Sequence, residues 1–285
     1  MMHDQSFEEI RVAARQKLET CELWLRRLIH EVFLDSFGPS YFDEGKHNGN
    51  HLFRSEVRKH AIERMSAEAS RYTRKVDTLT LDQIVDTLCK KDLYTEFFRP
   101  ALSEAYPDGN AEARTFLGRL VGVRNALSHS NPISVHDAER AFCYCDDIIL
   151  SLKSYYEEQN MAQEYNAPRF TRFSDSLGNT EHLLDTQKAL SFRDGPSLHS
   201  GDTIRLEVEV DASFQPDDYS ISWAVANIPG GEVGAGHSFV LTLQPRHVGE
   251  SFTIQAQVIS NESWHRHQNF DADLVVSYKV LPLPT

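Results

Sequence analysis

The sequence predicts an α + β protein in separate domains: an N-terminal all-α helical bundle over residues 1–160 and a C-terminal β-sandwich over 198–285, with 161–197 as a linker. Three observations predict it. Apolar residues recur at three- and four-residue steps through the first 160 positions. Residues 161–197 are polar and without sustained periodicity, with one short element expected around His182 to Leu190, and from Ile204 onward apolar residues alternate with a period of two. At 285 residues the chain has room for two cores of ordinary size.

In the first domain, Phe7, Ile10, Ala14, Leu18, Cys21, Leu25, Leu28 and Val32 form one stripe of a long amphipathic helix that ends at Phe37-Gly-Pro-Ser. The polar "KHNGNH" (Lys46 to His51) reads as a turn-bearing loop. A second helix is expected over 54–73. A third starts near Leu81, with Ile84, Val85 and Leu88 inward, and runs with interruption toward Phe97 and Phe98; Pro100 to Asn110 reads as a loop or short turn. The fourth, from Ala111 to about Leu127, buries Phe116, Leu117, Leu120 and Val121 or Val123. Ser134 caps the fifth, with Asp137 three residues on, and its inward stripe is Ala138, Ala141, Phe142, Cys145, Ile148, Ile149, Leu152 and Tyr156.

In the second domain five alternating runs, around Ile204–Val210, Tyr219–Val225, Phe239–Leu243, Phe252–Val258 and Val276–Val280, are separated by Gly, Pro, Asp and Asn turns. This many strands in so short a stretch predicts a β-sandwich, and it resembles the immunoglobulin-like kind in that Trp223 sits where such a domain keeps its core Trp. No cysteine follows Cys145, so the sandwich is expected without an inter-sheet disulfide and in a reducing compartment. Cys143 and Cys145 face different directions on one helix, which argues against a metal knuckle.

The net charge of −13 disfavours a protein that coats nucleic acid through a large basic surface. Residues 1–160 hold 21 Lys and Arg against 26 Asp and Glu, and the remainder holds 8 against 16, so the acidity is concentrated in the second domain. One stretch runs the other way. Arg54, Arg58, Lys59, Arg64, Arg71, Arg74 and Lys75 outnumber Glu56, Glu63 and Glu68, which reads either as a solvated helix face or as a phosphate-contacting one with Arg54, Arg58 and Lys59 as RNA-binding candidates. The N-terminus has no basic segment leading into an apolar one, and no run of about 18 apolar residues occurs, so the expectation is a cytoplasmic protein that does not enter a membrane.

The chemistry-bearing stretch is "RNALSH", Arg124 to His129, at the end of the fourth helix. Arg and His at this kind of spacing also occur as Arg54/His60 and Arg193/His199, so spacing alone selects nothing. Only the Arg124 pair closes one strongly apolar helix just before another begins. Positions five apart in an α-helix differ by about 140° and 7.5 Å of rise. Convergence of Arg124 and His129 therefore calls for an unwound last turn at Ser130-Asn131-Pro132, or for a second chain. The bland alternative is that Arg124, Asn125 and His129 only close the helix end.

"RNALSH", its Asn-Pro turn and the following amphipathic helix, preceded by "TLTLDQIVDTL" and Phe97-Phe98, resemble the HEPN superfamily over roughly residues 5–160. The resemblance implies a metal-independent endoribonuclease, of the toxin or anti-phage abortive-infection kind, in which two copies of the motif meet in a homodimer or higher oligomer. It implies Arg124 and His129 as catalytic and Asn125 as supporting, with no metal and no cofactor. The residue types suit the reaction. RNA carries its own nucleophile, the 2′-OH, and a His exchanges protons near neutral pH while the fork of an Arg holds phosphoryl oxygens. The expected products are a 2′,3′-cyclic phosphate and a 5′-OH. Asn131 stands where the subgroup silenced by adenylylation has Tyr, which speaks against a nucleotidyltransferase antitoxin of that type. "YSISWAVAN" (Tyr219 to Asn227) is similar to immunoglobulin-like sensor modules fused to defence proteins, which implies a bound trigger or regulator, or a role in assembly. A second function class is a non-catalytic binding or scaffolding protein of the same two domains.

Overall fold

The computed structural model describes residues 6–68, 72–129 and 131–283. The chain divides into two compact units, 1–160 and 161–285.

The helical unit contains α1 (Phe7–Phe37), α2 (Tyr41–Glu44), the two-stranded hairpin β1 (Lys46–His47) and β2 (Asn50–His51), α3 (Ser55–Ala67), α4 (Leu81–Leu88), α5 (Lys91–Leu93), α6 (Arg99–Leu102), α7 (Asn110–Ser128) and α8 (Val135–Glu158). Ser6 starts α1 through a reciprocal cap: its hydroxyl accepts from the Glu9 N–H, and the Glu9 carboxylate accepts from the Ser6 N–H. The expected single apolar stripe understates α1. Trp24, Ile29 and Phe33 are fully buried besides Leu18, Cys21, Leu25 and Leu28, because α4, α7 and α8 all pack on this helix. Phe7, expected inward, is about half exposed.

"KHNGNH" is a hairpin: Asn48 and Gly49 both have positive φ, the backbone a two-residue type I′ turn requires. The loop or short turn expected over Pro100 to Asn110 is present but begins only after Leu102. A π-helical turn over Tyr94–Phe98 carries the chain into α6, which contains Pro100. A proline cannot donate to the carbonyl four residues back and its ring crowds that carbonyl, and the wider turn removes the clash while the helix continues. The second helix stops at Ala67, short of the expected Thr73, and Lys75–Thr78 form a 3-10 turn.

In the second unit the segment expected as a linker over 161–197 contains four elements. It holds α9 (Ala162–Tyr165), β3 (Phe170–Asp175), β4 (Thr180–His182) and β5 (Gln187–Ser191). Then follow β6 (Leu198–His199), β7 (Thr203–Val210), β8 (Tyr219–Ala226), β9 (Val233–Ala235), β10 (Ser238–Thr242), β11 (Gly249–Ser260) and β12 (Ala272–Leu281). One sheet has the order β10-β7-β3-β4 and the other β5-β12-β11-β8-β9, with β6 also pairing with β12. The inward residues of both sheets share one hydrophobic core. Trp223 of β8 stacks on Phe239 of β10 at 5.7 Å and donates its indole N–H to the Gly236 carbonyl at 2.8 Å. Burying a side chain such as Phe173 stabilises the unit by roughly 1.5–3 kcal/mol. β3 escaped the sequence pattern because a register shift between Phe170 and Arg172 breaks its alternation.

Candidate functional site

The last turn of α7 is not unwound, contrary to one of the two routes expected for convergence. The helix continues through Ser128, and His129 is its C-cap, with its N–H on the Asn125 carbonyl at 3.2 Å. The Asn131 N–H closes back onto the Ala126 carbonyl at 2.9 Å, the long-range bond of a Schellman-type stop, and Pro132 prevents continuation. Ser130 lies outside the described residues. Asn125 and His129, four apart, share one face and are exposed, and their side chains hydrogen-bond no other described residue. Arg124 lies about 100° around the helix from Asn125. Within one chain the structure therefore brings Asn125 and His129 together and turns Arg124 toward α1.

There Arg124 meets a residue that the sequence reading missed. Glu22, only 4% exposed, accepts from Arg124 Nε at 3.0 Å through Oε1 and from Arg26 Nη2 at 2.5 Å through Oε2. A carboxylate this deep costs several kcal/mol unless it is paired, and two guanidinium groups provide the pairing. Arg26 is the fixed member, since its Nε and Nη2 also donate to the Leu79 carbonyl at 2.9 and 2.6 Å. Arg124 is different. Its side chain is about 30% exposed and only Nε is engaged, which leaves both terminal nitrogens open. Arg15 Nη2 donates to the Leu127 carbonyl at 2.8 Å and places a third cation at the C-terminal end of α7, where the helix dipole favours one. The signal available in the sequence was weak: Glu22 and Arg26 stand at the four-residue spacing of a helical ion pair, off the main apolar stripe.

The basic stretch from Arg54 to Lys75 is largely engaged inside the unit. Arg58 Nη1 donates to the Asp43 carbonyl at 2.7 Å, Arg64 Nη1 to the Thr78 carbonyl at 2.5 Å and Lys75 Nζ to the Asp43 carboxylate at 2.5 Å. Lys59 lies 3.8 Å from Glu63, and Arg74 pairs with Asp77. Arg71 lies outside the described residues. Arg54 and Arg58 line a groove of about 530 Å³ together with His51 and Lys90, and Lys59 is not part of its lining. Partial desolvation, with the Arg58 and Lys46 cations, pushes the His51 imidazole below its ordinary value.

Among the described residues no three His, Cys, Asp or Glu side chains are grouped as metal ligands, and no helix is long and apolar enough to cross a membrane. His265 lies in the loop between β11 and β12, where its Nδ1 is 3.3 Å from the Asp271 carboxylate, and His267 Nε2 is 3.2 Å from the Thr186 hydroxyl. No protein-family model matches the chain, and no characterised protein shows significant sequence similarity to it.

Proposed function

We propose that the helical unit is a HEPN-type, metal-independent endoribonuclease acting as a homodimer, in a toxin or anti-phage effector whose second unit is an immunoglobulin-like sensor or assembly module. The observation that carries this reading is the state of Arg124. It is tethered through Nε alone, with its terminal nitrogens open, beside exposed Asn125 and five residues before exposed His129 on the same helix end. An arginine serving only to neutralise a buried carboxylate has no need of a solvent-facing fork. In the proposed reaction His129 accepts the 2′-OH proton, the 2′ oxygen bonds to phosphorus, and Arg124 holds the phosphoryl oxygens as charge builds on them. The P–O5′ bond breaks, and the departing 5′ oxygen takes a proton from the second chain's copy of the same histidine. The 2′,3′-cyclic phosphate and 5′-OH ends follow.

The face of α7 supports the homodimer. Gly118 and Gly122 lie on the same line as Asn125 and His129, since all four fall within about 60° of one another around the helix. A Cβ added at either glycine meets nothing within 4 Å, so packing inside the unit does not call for them. A glycine inside a helix costs about 0.5–1 kcal/mol against alanine, and close approach of a second α7 accounts for that cost.

The test is incubation of wild-type, Arg124→Ala and His129→Ala protein with total tRNA and mRNA in EDTA, followed by mapping of fragment ends. The expected result is discrete cuts with cyclic-phosphate ends, reduced about 100-fold or more in both variants. Equal cutting by all three would remove the assignment. No cutting by any of them, across candidate triggers, favours the binding or scaffolding reading, in which Arg124 serves Glu22 and nothing else.

A further inference from the structure

We infer that Glu22 is a positioning residue for Arg124: it holds the guanidinium by one nitrogen so that the other two meet the phosphate already oriented. The inference rests on the ribonuclease reading above and extends it to a residue outside the motif.

The geometry is asymmetric. Glu22 divides its two oxygens between two arginines, Oε2 to Arg26 and Oε1 to Arg124. Arg26 is anchored a second time on the Leu79 carbonyl, so the carboxylate is itself fixed, by α1 and by the segment before α4. Glu22 and Arg26 sit four apart on α1, and α1 is buried along most of its length, so the anchor is as rigid as the core. Arg124 is the more exposed partner, 30% against 14%, and the one with both terminal nitrogens open. An arginine that is free to rotate loses side-chain freedom when it binds a phosphate; one held at Nε has already lost it.

The charge balance is consistent with this role. Two guanidinium charges around one carboxylate leave a net positive centre, so the cluster still attracts a phosphodiester, while the paired Glu22 keeps the two arginines from repelling each other. A side-on pair, in which Glu22 took a terminal nitrogen of Arg124 as well, would have used part of the fork. The observed single contact at Nε does not.

The experiment measures RNA cleavage by wild type, Glu22→Gln, Glu22→Asp, Arg124→Ala and the Glu22→Gln/Arg124→Ala double variant, each well below its melting temperature. Glu22→Gln is expected to lower kcat by about 10- to 100-fold, as misplacement by an ångström does, with KM changed far less. In the Arg124→Ala background the same change should cost less than about twofold, because the residue it acts through is already gone. Glu22→Asp keeps the charge on a side chain one methylene shorter; it should recover part of kcat, and it decides the question if Glu22→Gln does not fold. A kcat unchanged in a folded Glu22 variant, or losses that multiply in the double variant, would overturn the positioning role while leaving the nuclease intact. A wild type that cuts no RNA overturns the nuclease reading itself, and the positioning role falls with it.

Discussion

Arg124 in the helical unit and Arg266 in the β unit are both arginines tied to other parts of their own unit, and they differ in how much of the guanidinium is used. Arg266 donates from Nε to the Gln163 carbonyl, from Nη1 to those of Pro168 and Asp271, and from Nη2 to those of Glu164 and Ala167. Every nitrogen is occupied, and apart from Asp271 the partners are carbonyls at and just after the C-terminal end of α9, where a cation satisfies groups the helix leaves open. Arg124 uses one nitrogen of three. A saturated guanidinium holds a fold together; a partly used one in a half-exposed position is available to something else. Residue type and burial alone do not separate the two, because both are of intermediate exposure.

The comparison breaks or holds on a pair of substitutions. Arg124→Ala should show the largest effect on activity, the 100-fold loss given above, with little change in melting temperature, because Glu22 keeps Arg26. Arg266→Ala should invert the pattern. Hydrogen bonds to a charged donor contribute about 1.5–3 kcal/mol each in favourable cases, and losing this set should cost roughly 2–4 kcal/mol after water replaces part of it. Thermal unfolding, together with hydrogen exchange at residues 163–168, reads that loss, and the folded fraction should cut RNA as the wild type does. Cleavage that drops as far in Arg266→Ala as in Arg124→Ala would end the distinction between them.

A smaller effect tests the open face of α7. Gly118→Ala and Gly122→Ala should each stabilise the helical unit by about 0.5–1 kcal/mol, since the added methyl meets open space and the helix gains propensity. If a second chain packs there, the same substitutions weaken self-association, which analytical ultracentrifugation measures. Variants that are more stable, less dimeric and less active at low concentration would support the α7 contact. Variants that are more stable and equally dimeric would place the contact elsewhere.

Much of the helical unit was legible because its helices carry clean three- and four-residue patterns, as α8 shows: of its expected inward stripe Ala138, Ala141, Cys145, Ile148, Ile149, Leu152 and Tyr156 are buried and Phe142 is partly exposed. α1 was legible as a helix but not as the centre of the unit. A helix covered on several sides buries residues such as Trp24 and Glu22 that a single-stripe reading assigns to solvent. The candidate site was legible only in its local part. Asn125 and His129 share a face by spacing, whereas the pairing of Arg124 with Glu22 joins residues 102 apart in sequence, and no short pattern encodes that. β4 and β5 lay in a segment read as a linker with a single short element around His182 to Leu190, because they sit near the sheet edges, where exposed residues replace the alternation of a half-buried strand.

The smallest effect concerns another glutamate held by two side chains. Glu232 pairs with Arg246 and, at 3.1 Å, with His247 Nε2, while His247 Nδ1 accepts from the Gln244 N–H. Unlike the partners of Glu22, Arg246 and His247 lie next to each other in one turn, so the cluster ties a loop rather than presenting a fork. Burial pushes the Glu232 carboxyl up, but the Arg246 hydrogen bond, a backbone bond and the His247 and Arg246 charges outweigh it and hold the carboxyl below its ordinary value of 4.5. A lowered pKa in the folded state means that the pairing stabilises the protein above the unfolded value and is lost as pH falls through the folded one. Partial exposure limits the contribution to less than about 1 kcal/mol. Glu232→Gln should therefore melt slightly below wild type at pH 7, and the difference should close on acidification below the ordinary carboxylate range. A gap that stays constant with pH would mean that the loop is held by the shape of the side chain and not by its charge.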